Sequence, residues 1–276
     1  MSTDQKVAQN YQHGSLLAAI QAGIEKLGKT LETVTVEDLG PVDEFHIGGR
    51  VATDRLLKQL GVQKDSRVLD VGCGLGGAAR YVAKTFNCQV SGVDLTEEYI
   101  ATGNSLCSWV KLNNRVNLVH GNALDLPFED NSFDRAYMLH VGMNIEDKEK
   151  LFTEINRVLK PGGVFGVYDV MQIQPGEMTY PVPWASEQEI CKLASPRQYK
   201  EALKAAGFDV VTEANQKESA MEFFKNMRAK MEADGPPPLG LHTLMRASTP
   251  VRIQNMVQNI AAGTISPVEI ISRALG

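Results

Sequence analysis

The sequence predicts an α/β protein with a doubly wound, mostly parallel sheet of seven strands, preceded by helices and carrying a helical insertion before its last strand. Three observations carry this. Short β-branched runs recur from residue 66 onward, amphipathic helical stretches separate them, and the first run leads into a glycine-rich turn that opens a helix. Parallel neighbours need a crossover between them, so this alternation implies right-handed βαβ units with helices on both faces of the sheet.

The strands read RVLDV (67–71), QVSGVD (89–94), RVNLVHG (115–121), FDRAYML (133–139), GVFGVYDV (163–170), FDVVTEA (208–214) and VEIISRA (268–274). Helices fall between them at 78–86, 96–112, 147–160 and 196–207. In the last two, Leu151, Ile155, Val158 and Leu159, then Tyr199, Leu203 and Ala206, recur at helical spacing, and each stretch ends at a Gly or Pro-Gly stop. Outside the alternation, 15–29 places Leu16, Ala19, Ile20, Gly23, Ile24 and Leu27 on one helical face, with a second helix at 52–60. Residues 220–233 and 251–263 read helical around a break at GPPPLG. The division is a helical appendage at 1–62 and a core domain at 63–276, within which 217–266 is an insertion or lid.

Composition narrows the partners. At 276 residues and 43% hydrophobic, the chain can build a sizeable core. A net charge of −5 disfavours nucleic acid. The longest apolar runs, such as 162–170, fall short of the roughly 20 residues that span a bilayer, and the polar start MSTDQKVAQNYQHG lacks the apolar stretch of an export signal. Cys73, Cys88, Cys107 and Cys191 show no metal-ligand spacing, which predicts reduced thiols, no metal and a cytoplasmic setting.

The chemistry begins where RVLDV runs into Gly72-Cys73-Gly74-Leu75-Gly76-Gly77. Glycines at a strand-to-helix turn let a ligand approach the backbone, and the helix start offers it unpaired N–H groups. Asp94 ends the next strand, where a carboxylate can accept hydrogen bonds from ribose hydroxyls. Glycine turn and acidic strand end suit a nucleotide-like ligand, whether a nicotinamide dinucleotide or an adenosyl compound. Asp70, on the first strand itself, would repel a pyrophosphate and attract an ammonium group.

VLDVGCGLGG, VSGVDLT, HGNALDLPFEDNSFDRAYMLHV and RVLKPGG, in that order, resemble the class I S-adenosylmethionine-dependent methyltransferases. The resemblance is dense over residues 66–170 and implies the Rossmann-like methyltransferase fold, with S-adenosylmethionine as cofactor and S-adenosylhomocysteine as product. It implies that Asp70, Gly72 and Gly74 hold the methionine portion, Asp94 the ribose, and Leu95, Asn122 and Ala123 the adenine, while Leu139 and His140 border the methionine chain and the acceptor. EFHIGGRVATDRLL, YPVPWA and the C-terminal LGLHTLMRASTPVRIQNMVQNIAAG are similar to sarcosine/dimethylglycine N-methyltransferases, whose broader relatives methylate quinone precursors, sterols and tocopherols at carbon. The first expectation is therefore methylation of a glycine-derivative amine; the alternative is a carbon or oxygen acceptor such as a quinone or prenyl compound. A nicotinamide-dependent oxidoreductase and a non-catalytic adenosyl-binding module are the further alternatives, and homo-oligomer formation is left open.

Methyl transfer from a sulfonium needs an unprotonated acceptor held in line, so a histidine nearby can serve as base. His46, in the segment DEFHIGGR (43–50), and His140 are the candidates; each could instead be satisfied within a loop or core. Tyr180 and Trp184 are the expected acceptor-binding aromatics, through cation–π attraction to a methylated amine. Arg50, Arg246 and Arg252 could pair a substrate carboxylate. Met221, Phe223, Phe224, Met227 and Met231 read first as the core face of a helix, and second as a lid over an apolar acceptor.

Overall fold

Seven strands hydrogen-bond into one sheet, in the order 3-2-1-4-5-7-6 along the chain numbering, in a computed structural model that describes residues 14–275. The polar N-terminal stretch read above lies, up to residue 13, outside the described residues. Strands β1 (Arg67–Val71), β2 (Gln89–Asp94), β3 (Val116–His120), β4 (Phe133–Leu139) and β5 (Leu159–Gln172) are parallel, and β7 (Ile265–Ala274) runs antiparallel between β5 and β6 (Phe208–Asn215). Because β2 lies on one side of β1 and β4 on the other, the connections diverge at β1 and open a crevice at the carboxyl ends of these strands.

Among the described residues three helices precede the sheet: α1 (Leu16–Lys26), α2 (Val36–Asp43) and α3 (Gly49–Leu60). The crossovers carry α4 (Gly77–Phe86), α5 (Glu97–Trp109), α6 (Lys148–Val158) and α7 (Pro196–Ala205). Between β6 and β7 come α8 (Lys217–Asp234), the short α9 (Leu241–Met245) and α10 (Thr249–Ala262). One face of the sheet buries Leu151, Phe152 and Ile155 of α6 with Tyr199 and Leu203 of α7. The other buries Leu56, Leu57 and Leu60 of α3 with Ala79 and Val82 of α4. Each of these Leu, Ile, Val and Phe side chains contributes roughly 1.5–3 kcal/mol by leaving water. Gly23 on α1 marks a close approach, since a Cβ there would stand 2.3 Å from Leu239 Cδ2. The chain between α8 and α9 is thereby wedged against α1.

Two helices and the extensions of β5 and β7 differ from the sequence reading. Gly40 and Pro41 argue against a helix at 36–43, yet α2 forms because Thr35 and Asp38 close a reciprocal capping box: the Asp38 N–H donates to Thr35 Oγ1 at 3.2 Å and the Thr35 N–H to Asp38 Oδ2 at 2.9 Å. The five-residue α9 is too short to show periodicity. β5 covers 14 residues: it takes in Lys160-Pro161-Gly162-Gly163 because Leu159 already pairs with Phe133 of β4, and it runs on to Gln172 because β7 pairs with it as far as Gln172↔Ile265. Among the described residues no helix is long and apolar enough to cross a membrane.

Candidate active site

The crevice deepens into a cavity of about 2000 Å³. Asp70, Gly72, Gly74, Asp94, Leu95, Asn122, Ala123 and Leu139 line it, as do His46, His140 and Trp184. Tyr180 does not line it.

Sheet register explains the acidic end. Asp70 on β1 stands beside Tyr137 on β4, and the Tyr137 hydroxyl donates to Asp70 Oδ2 at 2.9 Å. Burial pushes the Asp70 carboxyl up to about 7, against the hydrogen bonds from Tyr137 and the Ala79 amide. Such a desolvated acid gains most from a cationic partner. The turn beyond it uses left-handed backbone, with φ of 71° at Gly72 and 54° at Gly74. A Cβ on Gly72 would lie 2.3 Å from Val141 Cγ2, so only glycine keeps the turn open. Asp94 Oδ2 accepts the Gly74 N–H at 2.9 Å and Oδ1 the Thr96 N–H at 2.8 Å, which ties the turn to the end of β2 while leaving each oxygen a second lone pair. Asn122 Oδ1 accepts the Leu124 N–H at 2.9 Å, so this oxygen closes its own turn. Open glycine backbone, a buried carboxyl seeking a cation and an anchored second carboxylate together fit the amino-acid and ribose ends of an adenosyl cofactor.

Phe45 was not foreseen. A Cβ on Gly74 would meet its ring at 3.4 Å, and the ring stands edge-on to Tyr99 with centroids 6.2 Å apart. Nothing in DEFHIGGR signals which of its residues meets a turn nearly thirty positions away.

The rings of His46, which is buried, and His140, which is partly buried, lie 6.1 Å apart between centroids. His140 sits in left-handed backbone with φ of 58°; its Nδ1 donates to the Tyr168 carbonyl at 3.1 Å and its Nε2 accepts the Ile47 N–H at 3.3 Å. With both nitrogens engaged, His140 braces the DEFHIGGR segment against the sheet. Burial pushes His140 down to about 3 and His46 to about 4, so both rings are neutral near neutral pH.

On the acceptor side, α10 holds the YPVPWA backbone: Arg252 donates to the Val182 carbonyl at 2.6 Å and Asn255 to the Pro181 carbonyl at 2.9 Å. The loop turns Trp184 inward, where Nε1 donates to Cys191 Sγ at 3.2 Å, and leaves Tyr180 beside Met178, 3.9 Å from its sulfur. Arg50 pairs with Glu44 and lies over the Tyr81 ring at 4.0 Å. Arg50 and Arg252, both suited to a substrate carboxylate, thus already hold protein partners. Met221, Phe223, Phe224, Met227 and Met231 all line the cavity, and Phe224 also joins a buried cluster with Trp184 and Ile260 against which Met221, Phe223 and Met227 pack, so the stripe is core face and cavity wall at once. Among the described residues no His, Cys, Asp and Glu cluster could hold a metal ion.

Residues 69–167 match the methyltransferase domain family. A sterol 24-C-methyltransferase of Schizosaccharomyces pombe is 33% identical over 164 residues, covering 57% of this chain and 43% of that protein. The chain thus spans less than half the length of this curated relative. Among solved structures, a protein of Galdieria sulphuraria assigned as a sarcosine dimethylglycine methyltransferase is 21% identical with a TM-score of 0.66, covering 82% of this chain and 85% of that one. The geranyl diphosphate C-methyltransferase of Streptomyces coelicolor A3(2), solved with S-adenosyl-L-homocysteine, is 19% identical with a TM-score of 0.71, covering 100% of this chain and 99% of that one. These likenesses are of fold. Residues 69–167 thus match the methyltransferase domain, and the sheet that holds them has the Rossmann-like methyltransferase fold.

Proposed function

We propose that the chain transfers the methyl group of S-adenosylmethionine to carbon on a large, mainly apolar small molecule. The observation that carries this is the cavity of about 2000 Å³ with the Met and Phe stripe of α8 along it. A glycine derivative would leave most of that space unfilled, and Arg50 and Arg252, which could pair its carboxylate, are committed to Glu44 and to the Val182 carbonyl. The sterol 24-C-methyltransferase relative supports a carbon acceptor.

The bound cofactor supplies a methyl group already activated on a sulfonium. The protein's part is placement. Asp70 receives the ammonium group, Asp94 accepts from the ribose hydroxyls with its remaining lone pairs, and Leu95 and Ala123 flank the adenine. Phe45 closes over Gly74, α8 and α10 exclude water, and His46 accepts the proton that the acceptor loses. Holding the partners in line contributes on the order of 7–11 kcal/mol in favourable cases. The free thiols fit a reducing compartment such as the cytoplasm.

Transfer of isotope-labelled methyl groups to sterols, polyprenyl compounds and quinone precursors, alongside sarcosine and dimethylglycine, tests this reading. The expected product is an apolar compound with a new C–CH₃ bond. His46→Ala is expected to slow transfer by about 100-fold or more while S-adenosylhomocysteine affinity changes little. Labelling of the glycine derivatives alone would return the first expectation.

A further inference from the structure

His46 is the end of a buried chain of hydrogen bonds that the methyl-transfer reading does not require. Its Nε2 lies 3.0 Å from the Gly49 carbonyl oxygen and 3.0 Å from Thr53 Oγ1. A carbonyl oxygen only accepts, so Nε2 carries the hydrogen and Nδ1 keeps the lone pair. Thr53 Oγ1 donates to Glu44 Oε2 at 2.9 Å, which orients its own lone pair toward His46. Glu44 Oε1 accepts from Arg50 Nε. Gly49 and Thr53 are one turn apart at the start of α3, so the carbonyl and the hydroxyl face the same side of that helix. Thr53 is 1% exposed and Glu44 7%, so water does not compete for these bonds.

We propose that Thr53 and Glu44 are positioning residues for His46, fixing its Nε2–H tautomer so that Nδ1 takes the proton released when the acceptor is methylated. This rests on the methyl-transfer reading above. As the acceptor–methyl bond forms, the carbon–sulfur bond breaks and its electron pair stays on sulfur. The bond between acceptor and proton breaks, its pair staying on the acceptor, and the proton joins Nδ1. The imidazolium then shares its charge through Thr53 with the Glu44 carboxylate until the proton reaches solvent. Around the ring stand Glu44 before α3, Arg50 and Arg55 on it, His140 just after β4 and Tyr168 on β5. Burial lowers the basicity of His46 and the two arginines add to it. The Gly49 carbonyl works against them, and Glu44 reaches the ring through Thr53 Oγ1, which hydrogen-bonds to both.

Nitrogen NMR of isotope-labelled histidine in the full chain, saturated with S-adenosylhomocysteine, reads the tautomer directly, with the His46 signals assigned by their loss in His46→Gln. The wild type is expected in the Nε2–H form near neutral pH. Thr53→Val is expected to mix the tautomers and Thr53→Ser to restore the wild-type signals; Glu44→Gln is expected to shift them. With the apolar acceptor that turns over, Thr53→Val should lower kcat about tenfold or more with the KM for S-adenosylmethionine unchanged. The acid limb of the Glu44→Gln rate profile should move to lower pH, because the charge that favours the imidazolium is gone. Wild-type His46 signals in both Thr53→Val and Glu44→Gln, or a wild-type rate despite an altered tautomer, would overturn the proposal. The NMR arm needs no acceptor, so it judges the relay even where every acceptor fails and the methyl-transfer reading falls.

Discussion

At the scale of single residues, the cofactor turn shows how a glycine is fixed by a residue far from it in sequence. Gly72 combines left-handed backbone with the contact to Val141, and neither leaves room for a side chain. Gly162 has a similar φ of 76° but nothing within 4 Å of its would-be Cβ. Gly72→Ala is therefore expected to weaken S-adenosylhomocysteine binding at least tenfold, about 1.4 kcal/mol, in calorimetry. Gly162→Ala should cost about 1 kcal/mol of stability from backbone strain and leave binding unchanged. Equal affinity for the two variants would mean that the turn yields without consequence. The glycines, Asp70 and Asp94 were legible in the sequence because chemistry needs those residue types at a strand end. Val141, Tyr137 and Phe45 were not, since their roles depend on sheet register and loop docking that no local pattern encodes. The same limit explains Tyr180, whose residue type suited the acceptor but whose loop turns it aside.

At the scale of elements, α2 decides where the DEFHIGGR segment sits. Its last residue, Asp43, accepts from Arg80 Nη2 of α4 at 2.7 Å with both side chains wholly buried. Arg80 also donates to the Leu75 carbonyl at 2.7 Å and the Gly103 carbonyl at 3.2 Å, and a Cβ on Gly77 would stand 2.3 Å from that of Asp43. The helix after the glycine turn and the helix before the acceptor wall are thus bolted together. Asp43→Ala would leave the Arg80 charge buried without its partner, a loss of roughly 3–5 kcal/mol. Chemical denaturation measures it; a loss below about 1 kcal/mol would show that water or a neighbour replaces the carboxylate. Strands and crossover helices were legible because each repeats a period over several residues. α2 was hidden by Gly40 and Pro41, and its stabilisation comes from the Thr35–Asp38 cap and from burial against α4.

At the scale of the whole molecule, titratable groups along the sheet that are shielded from water have opposing effects on stability. Asp70 is pushed up to about 7 and Asp169 to about 6, in both cases chiefly by burial. His46 is pushed down to about 4 and His140 to about 3, again by burial first. A carboxyl with a raised folded-state pKa holds its proton in the folded protein while the unfolded chain, at about 3.9, has lost it. It therefore adds stability as the pH falls from about 7 toward 4. A histidine with a depressed folded-state pKa is neutral in the folded protein while the unfolded chain, at about 6.5, takes up a proton, so it removes stability as the pH falls below that value. In the wild type the two trends partly cancel. Asp70→Asn removes the largest opposing carboxyl contribution and leaves both histidines in place. On moving from pH 7 to pH 5 the variant should lose about 2 kcal/mol more stability than the wild type, since each group contributes about 1.4 kcal/mol per pH unit over its window. Urea denaturation at the two pH values provides the comparison. Parallel changes in the two proteins would place the Asp70 carboxyl back in its ordinary range, and with it would go the argument that this carboxyl is held ready for an ammonium group.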